Sequence, residues 1–444
     1  MPGHRRVSVG ASIVTISQVT AALAGGLTAV VVARLLGSAG TGAYGVVLAF
    51  FAVMTVVSGL GVGTGAVYRV SGRRWSEAHA IRQVQMAALA LGLVGAGLGL
   101  VVARLARGSA FQGVDLGTLA IGLAALPFAL SWSFGSSISI AQDRYEQAAL
   151  ATVSQAVGGL ALIAALAPGY GVRGAVVGMS TSHALTALWL AAVSIRRSSR
   201  VAGWLRQAPF EILSASRFGI KASLTNVLSV VNQRVDLIVL NAFALQTTVG
   251  HYSVALSLTA LQMLLPRSIG FVVLPRVSSL AGGDASEDRA LVVSKSVKHA
   301  ILVAVGGAIA MACALLAVPL VFGSDFQPAV LLGWILIPGT AALGLASVLA
   351  ATIVGSGRPG YLLRAAAIVT PVTLVLYVLL ISQFEAVGAA VASTLSYTMT
   401  LVLVWQYFRR VTGIHGLRTL LPGLAELADY RELLGAARAR VRAR

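Results

Sequence analysis

Charge is scarce in this chain and negative charge scarcer still: Asp, Glu, Lys and Arg make up 11% of the residues, with 14 acids against 33 bases. Cysteine is nearly absent. A lone Cys313, buried in the ninth of the apolar runs described below, excludes an internal disulfide and a cysteine-rich metal site. The few histidines and acids show neither metal-ligand spacing nor a paired-carboxylate motif. The stretch Gly37-Ser38-Ala39-Gly40-Thr41-Gly42 is glycine-rich but lacks the Lys-Ser/Thr that completes a phosphate-binding loop. These absences remove thiol, metal, nucleotide and carboxylate-pair chemistry, so the chain reads as a non-enzyme with no cofactor and no metal.

Apolar sequence is what the chain has in abundance. Of its 444 residues 57% are hydrophobic, and the mean hydropathy of +0.87 lies beyond the range of water-soluble globular proteins. Runs of about 20 apolar residues, the length that crosses ~30 Å of hydrocarbon as a helix, recur twelve times, over 9–33, 43–66, 84–104, 116–140, 148–167, 173–194, 219–245, 250–275, 298–322, 328–354, 361–382 and 386–408. The basic start at His4, Arg5 and Arg6 precedes a run too long for a cleaved leader, so the first run is expected to stay as a helix. The net charge of +19 does not imply nucleic acid. Most basic residues fall in alternate loops and in the two terminal segments, which by the positive-inside rule makes both termini cytoplasmic in a multi-pass protein of the plasma (inner) membrane.

The chain echoes itself. Gly42-Ala43-Tyr44-Gly45-Val46-Val47-Leu48 opens the second span and Gly250-His251-Tyr252-Ser253-Val254-Ala255-Leu256 the eighth, at an offset of 208. Gly174-Ala175-Val176-Val177 likewise matches Gly388-Ala389-Ala390-Val391 at an offset of 214. Two matches six spans apart indicate a tandem repeat whose copies share one orientation, because each holds an even number of spans. The expected fold is therefore all-α and integral to the membrane, with about twelve transmembrane helices in two six-helix lobes. Residues 1–195 form the N-terminal lobe, 196–218 a cytoplasmic linker with an amphipathic helix carrying Phe210, Ile212, Leu213 and Phe218, 219–410 the C-terminal lobe, and 411–444 a basic amphipathic tail. Linker and tail suit anionic membrane lipids. Gly95 and Gly99, and Gly174 and Gly178, are small-residue pairs that permit close helix packing. Pro127, Pro266, Pro338 and Pro371 lie within spans, where each can kink its helix.

Asn232-Gln233-Arg234-Val235-Asp236 interrupts the seventh apolar run. An Arg or Asp at mid-membrane costs about 2.5–3.5 kcal/mol on insertion scales, so such groups face a wet interior or one another. At 100° per residue Thr225, Asn226, Ser229, Asn232, Gln233 and Asp236 share one arc of the seventh helix, while Arg234 points well away from it. On the eighth helix Ser253, Ser257, Arg267 and Ser268 share a side, and Gln18 matches Asn226 at the 208 offset. The guanidinium of Arg267 has the fork geometry that suits phosphate oxygens. A structural polar bridge between helices, or snorkelling in the case of Arg267, are the non-functional readings of these groups.

Ala33-Arg34-Leu35-Leu36-Gly37-Ser38-Ala39-Gly40-Thr41-Gly42-Ala43-Tyr44, then Asn226 through Asp236, Val249-Gly250-His251-Tyr252-Ser253-Val254-Ala255 and Leu274-Pro275-Arg276-Val277-Ser278 resemble the corresponding segments of Wzx-like oligosaccharide flippases, in the multidrug/oligosaccharidyl-lipid/polysaccharide exporter superfamily. The resemblance implies two six-helix lobes about a central cavity that opens alternately to either side. It also implies a polyprenyl-diphosphate-linked glycan as cargo, moved from the inner to the outer leaflet for cell-surface polysaccharide synthesis. Candidate substrate-binding residues are Arg267, Asn226, Asn232, Gln233, Arg234, Gln18 and Ser257, with Arg267 on the diphosphate and the amides along the headgroup path. Asp236 occupies the helix that in related lipid II flippases helps bind a coupling cation. The eleventh span offers only Thr370, Thr373 and Tyr377 and no acid, which leaves H+, Na+ or no counter-ion open. A cation-coupled multidrug antiporter of the same superfamily is the alternative, and Asp236 alone supports it. An integral-membrane glycan polymerase or glycosyltransferase fits less well, because the outer loops are short and poor in charge.

Overall fold

The computed structural model describes residues 2–72, 75–197, 212–280, 286–414 and 421–423, and among these every regular element is helical. In chain order they are α1 (Pro2–Gly59), α2 (Val62–Ser71), α3 (Glu77–Leu105), α4 (Leu116–Ala124), α5 (Leu126–Ala141), α6 (Tyr145–Arg197), α7 (Ile212–Phe243), α8 (Gln246–Leu261), α9 (Leu264–Ser279), α10 (Ser286–Leu315), α11 (Val318–Phe322), α12 (Pro328–Gly355) and α13 (Gly360–Thr412), with one 3-10 turn at Ser324–Phe326.

Eight helical stretches among the described residues are long and apolar enough to cross a membrane. Three of them are of double length and turn back at a single residue: α1 at Gly37 (φ 66°), α6 at Gly171 (φ 58°) and α13 at Glu385 (φ 46°). Counting each hairpin as two gives eleven spans. The twelfth is α7, whose hydropathy is held down by Asn232, Gln233, Arg234 and Asp236. The fold is the expected one, all-helical with twelve spans. Three spans are interrupted: the second at Gly61, a left-handed residue before α2, the fourth at Ala125 ahead of Pro127, and the eighth at Gln262–Met263 ahead of Pro266. A proline lacks the amide hydrogen that a continuing helix would use, and its ring crowds the carbonyl four residues back. For Pro266 that residue is Gln262.

The repeat is visible in backbone geometry. A β-carbon on Gly42 would fall on the carbonyl of Gln246, and one on Gly250 on the carbonyl of Ser38. The offset of 208 carries Ser38 to Gln246 and Gly42 to Gly250, so the second and eighth spans cross reciprocally at the residues that open the two echoed segments. The hairpins repeat as well. Gly171 and Glu385 are 214 apart, and the glycine three residues beyond each turn, Gly174 or Gly388, lies against the carbonyl of Leu166 or Leu380. Only glycine permits such an approach between backbones.

Packing runs opposite to that of a soluble protein. In α3 from Ala87 onward the buried positions are all small: Ala87, Ala88, Gly92, Gly95, Gly99 and Ala103. Leu89, Leu93, Val94 and Leu98 are all more than half exposed. With lipid tails outside, burying large apolar side chains gains little, and close contact between backbones holds the helices together instead. The close approach that the glycine pairs Gly95/Gly99 and Gly174/Gly178 permit is realised: all four are buried. Cys313 departs from the expectation that it is buried, being exposed on α10. An apolar run specifies burial in the membrane, and in this protein much of that surface faces lipid.

The chain forms two compact units, Met1–Leu261 with Leu315–Leu336 and Ala366–Ser393, and Gln262–Ala314 with Ile337–Ala365 and Thr394–Arg444. The first has a core cluster of Val62, Ala66, Trp75, Val84, Leu130 and Phe134. In it Arg144 grips Glu77 with two hydrogen bonds, of 2.6 and 2.9 Å. The second is built around Val273, Val277, Val293, Leu349, Ile353 and Phe408. Most of the expected amphipathic linker and tail lies outside the described residues: positions 198–211, 415–420 and 424–444.

The matched turns make opposite predictions. A non-glycine residue at φ 46°, ψ −123° is strained, so Glu385→Gly is expected to raise the thermal midpoint of the detergent-solubilised protein. Gly171→Ala, which forces a side chain into φ 58°, ψ −141°, is expected to lower it. Each effect should be about 1 kcal/mol. Shifts of the same sign would contradict the turn geometry.

Candidate functional site

The polar interruption of α7 folds into a closed cluster within the first unit. Asp236 is fully buried, and so are Tyr252 of α8 and Tyr377 and Ser393 of α13. The Asp236 Oδ1 accepts the amide hydrogen of Leu237 at 2.8 Å, and its Oδ2 accepts the Tyr252 hydroxyl at 2.7 Å. Ser393 Oγ lies 3.1 Å from each of the two tyrosine hydroxyls and 3.5 Å from Asp236 Oδ2. Tyr377 donates to the backbone carbonyl of Asn232 at 2.9 Å, one helical turn before the aspartate. Each hydroxyl has one hydrogen. Those of Tyr252 and Tyr377 are committed to acceptors that cannot donate in return, so the Ser393 hydrogen is the one that can turn between tyrosine and carboxylate.

No ion pair to Asp236 forms among the described residues. A buried carboxylate without a countercharge is costly unless hydrogen-bonded, and charge-assisted bonds to hydroxyl and amide are the compensation found here. The cluster ties the consecutive helices α7 and α8 to α13, far along the chain. No group of three or more His, Cys, Asp or Glu side chains suited to a metal ion occurs among the described residues.

A second feature of the first unit is a cavity of about 250 Å³ walled by α1, α6 and α8. Small residues, including Ala21, Gly25, Gly45, Ala156 and Gly159, make the space. Its polar wall is formed by Thr28, Thr41, Gln155, His183, Ser253 and Ser257. The His183 Nδ1 is 3.0 Å from the carbonyl of Met179. A carbonyl only accepts, so Nδ1 carries the hydrogen, and Nε2 presents its lone pair with the Gln155 amide nitrogen 3.4 Å away. Edge-on rings of Phe51 and Trp132 fix the plane of the imidazole.

The third feature pins a loop to a turn. The Gln112 side chain donates to the backbone carbonyl of Asn241 at 2.8 Å, and the fully buried Asn241 amide donates back to the carbonyls of Ala110 and Gln112 at 3.0 Å each. Gln246 joins the same group with bonds to Gln112 O and Asn241 Oδ1. Elsewhere in the first unit, Arg34 caps the end of α11 through the carbonyls of Val321 and Leu320.

The residues singled out from sequence are distributed as follows. Asp236 and Asn232 meet in the buried cluster, and Ser257 lines the cavity. Gln233 is half-buried and donates to Ser229 on its own helix; Arg234 is also half-buried. Gln18 and Asn226 are exposed, as is Arg267 at the start of α9. The break at Gln262–Met263 means that the angular bookkeeping placing Arg267 on one side with Ser253 and Ser257 does not carry across, since it assumed a continuous helix. Sequence reasoning missed His183, Gln155 and Ser393 as site residues. His183 and Gln155 could have been found as the polar interruptions of the sixth and fifth spans on either side of the Gly171 turn.

Residues 8–281 match the family described as polysaccharide biosynthesis protein. A curated relative from Haloferax volcanii, named "Probable low-salt glycan biosynthesis flippase Agl15", is 28% identical over 182 residues, 40% of this chain and 38% of that protein. The match thus spans well under half of the relative's length. Among solved structures, a lipid II flippase MurJ in an inward closed conformation superposes with a TM-score of 0.75 at 15% identity, covering 92% of this chain and 88% of that one. An inward-facing multidrug resistance MATE family transporter of the MOP superfamily gives a TM-score of 0.69 at 18% identity, covering 89% and 95%. At such identities the structural likeness establishes the fold.

The shared hydrogen bond in the cluster predicts strong coupling. Tyr252→Phe is expected to cost about 1.5–3 kcal/mol, the range for a hydrogen bond to a charged group. In an Asp236→Leu background the same change should cost at least about 1 kcal/mol less. Thermal denaturation of the four proteins in detergent measures this cycle, and additive costs would show that the two side chains do not share a bond.

Proposed function

The chain belongs to the polysaccharide biosynthesis protein family, and on that premise we propose that it flips a polyprenyl-diphosphate-linked oligosaccharide from the inner to the outer leaflet by alternating access. The likeness to a glycan biosynthesis flippase in sequence and to a lipid II flippase in fold supports that cargo class. The observation that carries it against the multidrug alternative is the state of Asp236. A cationic drug needs an acid within its reach, whereas this carboxylate has no exposed surface and is bonded by Tyr252 and the Leu237 amide.

In this reading Arg267, which is exposed at the start of α9, engages the diphosphate with its guanidinium fork. Gln18, Asn226, Asn232, Gln233 and Arg234 belong to the headgroup path. Asp236 serves as the ion-coupling residue, with Tyr252 and Ser393 as the groups that release it when a cation or proton arrives. The linker 196–218 joins the two lobes in sequence, both termini face the cytoplasm at the plasma (inner) membrane, and the basic linker and tail attract anionic lipids.

Two substitutions test this in proteoliposomes, with an impermeant glycosidase reporting the cargo that has crossed. Arg267→Ala is expected to lower the flipping rate by about 10- to 100-fold, the equivalent of one charge-assisted hydrogen bond. Asp236→Asn is expected to abolish the response of flipping to an imposed pH or sodium gradient. Wild-type rates in both proteins would remove these assignments, and absence of any flipping by the wild-type protein would remove the cargo class.

A further inference from the structure

We propose that the cavity walled by α1, α6 and α8 seats one uncharged sugar ring. This deepens the flippase reading and rests on it for the identity of the larger molecule, although the binding chemistry stands on the cavity alone.

The wall is mostly apolar, carries several hydrogen-bonding groups and is empty of fixed charge. No Asp, Glu, Lys or Arg lines it among the described residues. A diphosphate would be buried there without countercharge, and a cationic ligand without an acid, both at prohibitive cost. A neutral polyol carries no such penalty.

The individual groups are turned toward a partner that both donates and accepts. The hydroxyls of Thr28 and Thr41 spend their hydrogens on the carbonyls of Ala24 and Gly37, at 2.8 and 2.7 Å, which leaves oxygen lone pairs as acceptors. The Nε2 of His183 is likewise an acceptor, because Nδ1 carries the hydrogen. The hydroxyls of Ser253 and Ser257 make no hydrogen bond to any described residue, and the side-chain oxygen of Gln155 has none either. Serine in a helix can satisfy itself on the carbonyl one turn back, and here two serines one turn apart on α8 leave that option unused beside the same space. Such groups facing the space are open to a partner that fits it. A sugar ring supplies alternating hydroxyls of both kinds to meet them, and its apolar face suits the Ala and Gly walls and the Tyr44 ring.

Size limits the occupant. Pockets for drug-sized ligands measure about 300–1,000 Å³, and one of about 250 Å³ suits a single ring of a longer glycan.

Gly25 supplies the blocking variant. Gly25 lines the cavity and a β-carbon there meets nothing within 4 Å, so Gly25→Leu starts from open space beside the cavity, and leucine favours the helix. A single cysteine introduced as Ala156→Cys, in a Cys313→Ser background, reports occupancy through its rate of labelling by a small maleimide. The probes are methyl glycosides of neutral hexoses and N-acetylhexosamines, with a methyl hexuronide as the charged control. At about ten times its Kd a bound glycoside should slow labelling about tenfold. At least one neutral glycoside is expected to do so, the hexuronide is not, and Gly25→Leu should remove the protection. Saturation-transfer NMR on the unmodified protein gives the same reading without any substitution. Failure of every neutral glycoside in both measurements, equal protection by the hexuronide, or protection that survives Gly25→Leu would overturn the proposal. Neither measurement requires flipping. A protein that binds neutral glycosides but moves no lipid-linked glycan keeps this site and loses the flippase reading, and a flippase blind to free glycosides does the reverse.

Discussion

The bond between Tyr252 and Asp236 is the interaction on which the middle of the first unit depends. In hydrocarbon no water stands ready to replace a lost partner, so a carboxylate at that depth must be satisfied by the protein itself. Asp236 obtains that satisfaction from α7 through the Leu237 amide, from α8 through Tyr252 and from α13 through Ser393. Three helices are thereby joined by polar bonds at one buried point. The arrangement also explains why the polar interruption of α7 is tolerated. Its most expensive member is sealed, while Gln233 satisfies itself on its own helix.

Elsewhere backbone proximity does what core side chains do in soluble proteins. The reciprocal crossing at Gly42 and Gly250 brings two backbones together at equivalent points of the repeat, and both glycines are required because either β-carbon would occupy the other helix. The amide group of Gln112, Asn241 and Gln246 continues the same logic where the helices end. Carbonyls that have run out of helix are met by side-chain donors. Neither device draws on the transfer of apolar surface from water, which a lipid environment does not supply.

Much of the architecture was legible in the sequence because membrane spans obey a length rule and repeats obey an offset. The turns at Gly37, Gly171 and Glu385 fall between the expected runs, and the two echoed segments at Gly42 and Gly250 proved to be the crossing point itself. The site was less legible. Angular bookkeeping grouped Asn226 with Asp236, yet one is exposed and the other sealed, because an arc on one helix says nothing about which neighbour covers each turn. Tyr252 and Ser393 look unremarkable in sequence. Their importance comes from being opposite Asp236, 16 and 157 positions away along the chain, a relation that only the fold creates. His183 escaped notice for a related reason: a lone histidine in an apolar run acquires meaning through Gln155, Met179 and the cavity beside it.

The sealed carboxylate and the hydroxyl-lined cavity are not independent, since α8 contributes to both. Tyr252 points to Asp236, while the next residue, Ser253, and Ser257 one turn on face the cavity. Adjacent residues on a helix project about 100° apart, so one rigid element presents one side to the charge and the other to the space. Breaking the bond between Tyr252 and Asp236 by moving α8 therefore displaces the cavity wall in the same motion. The converse also holds: a ring lodged against Ser253 and Ser257 restrains the helix that covers the carboxylate. Gly250, two residues before Tyr252, is where this helix lies directly against the second span, a β-carbon there falling on the Ser38 carbonyl. The proposed ring site and the sealed carboxylate thus share a single helix, with no chain of intermediaries between them.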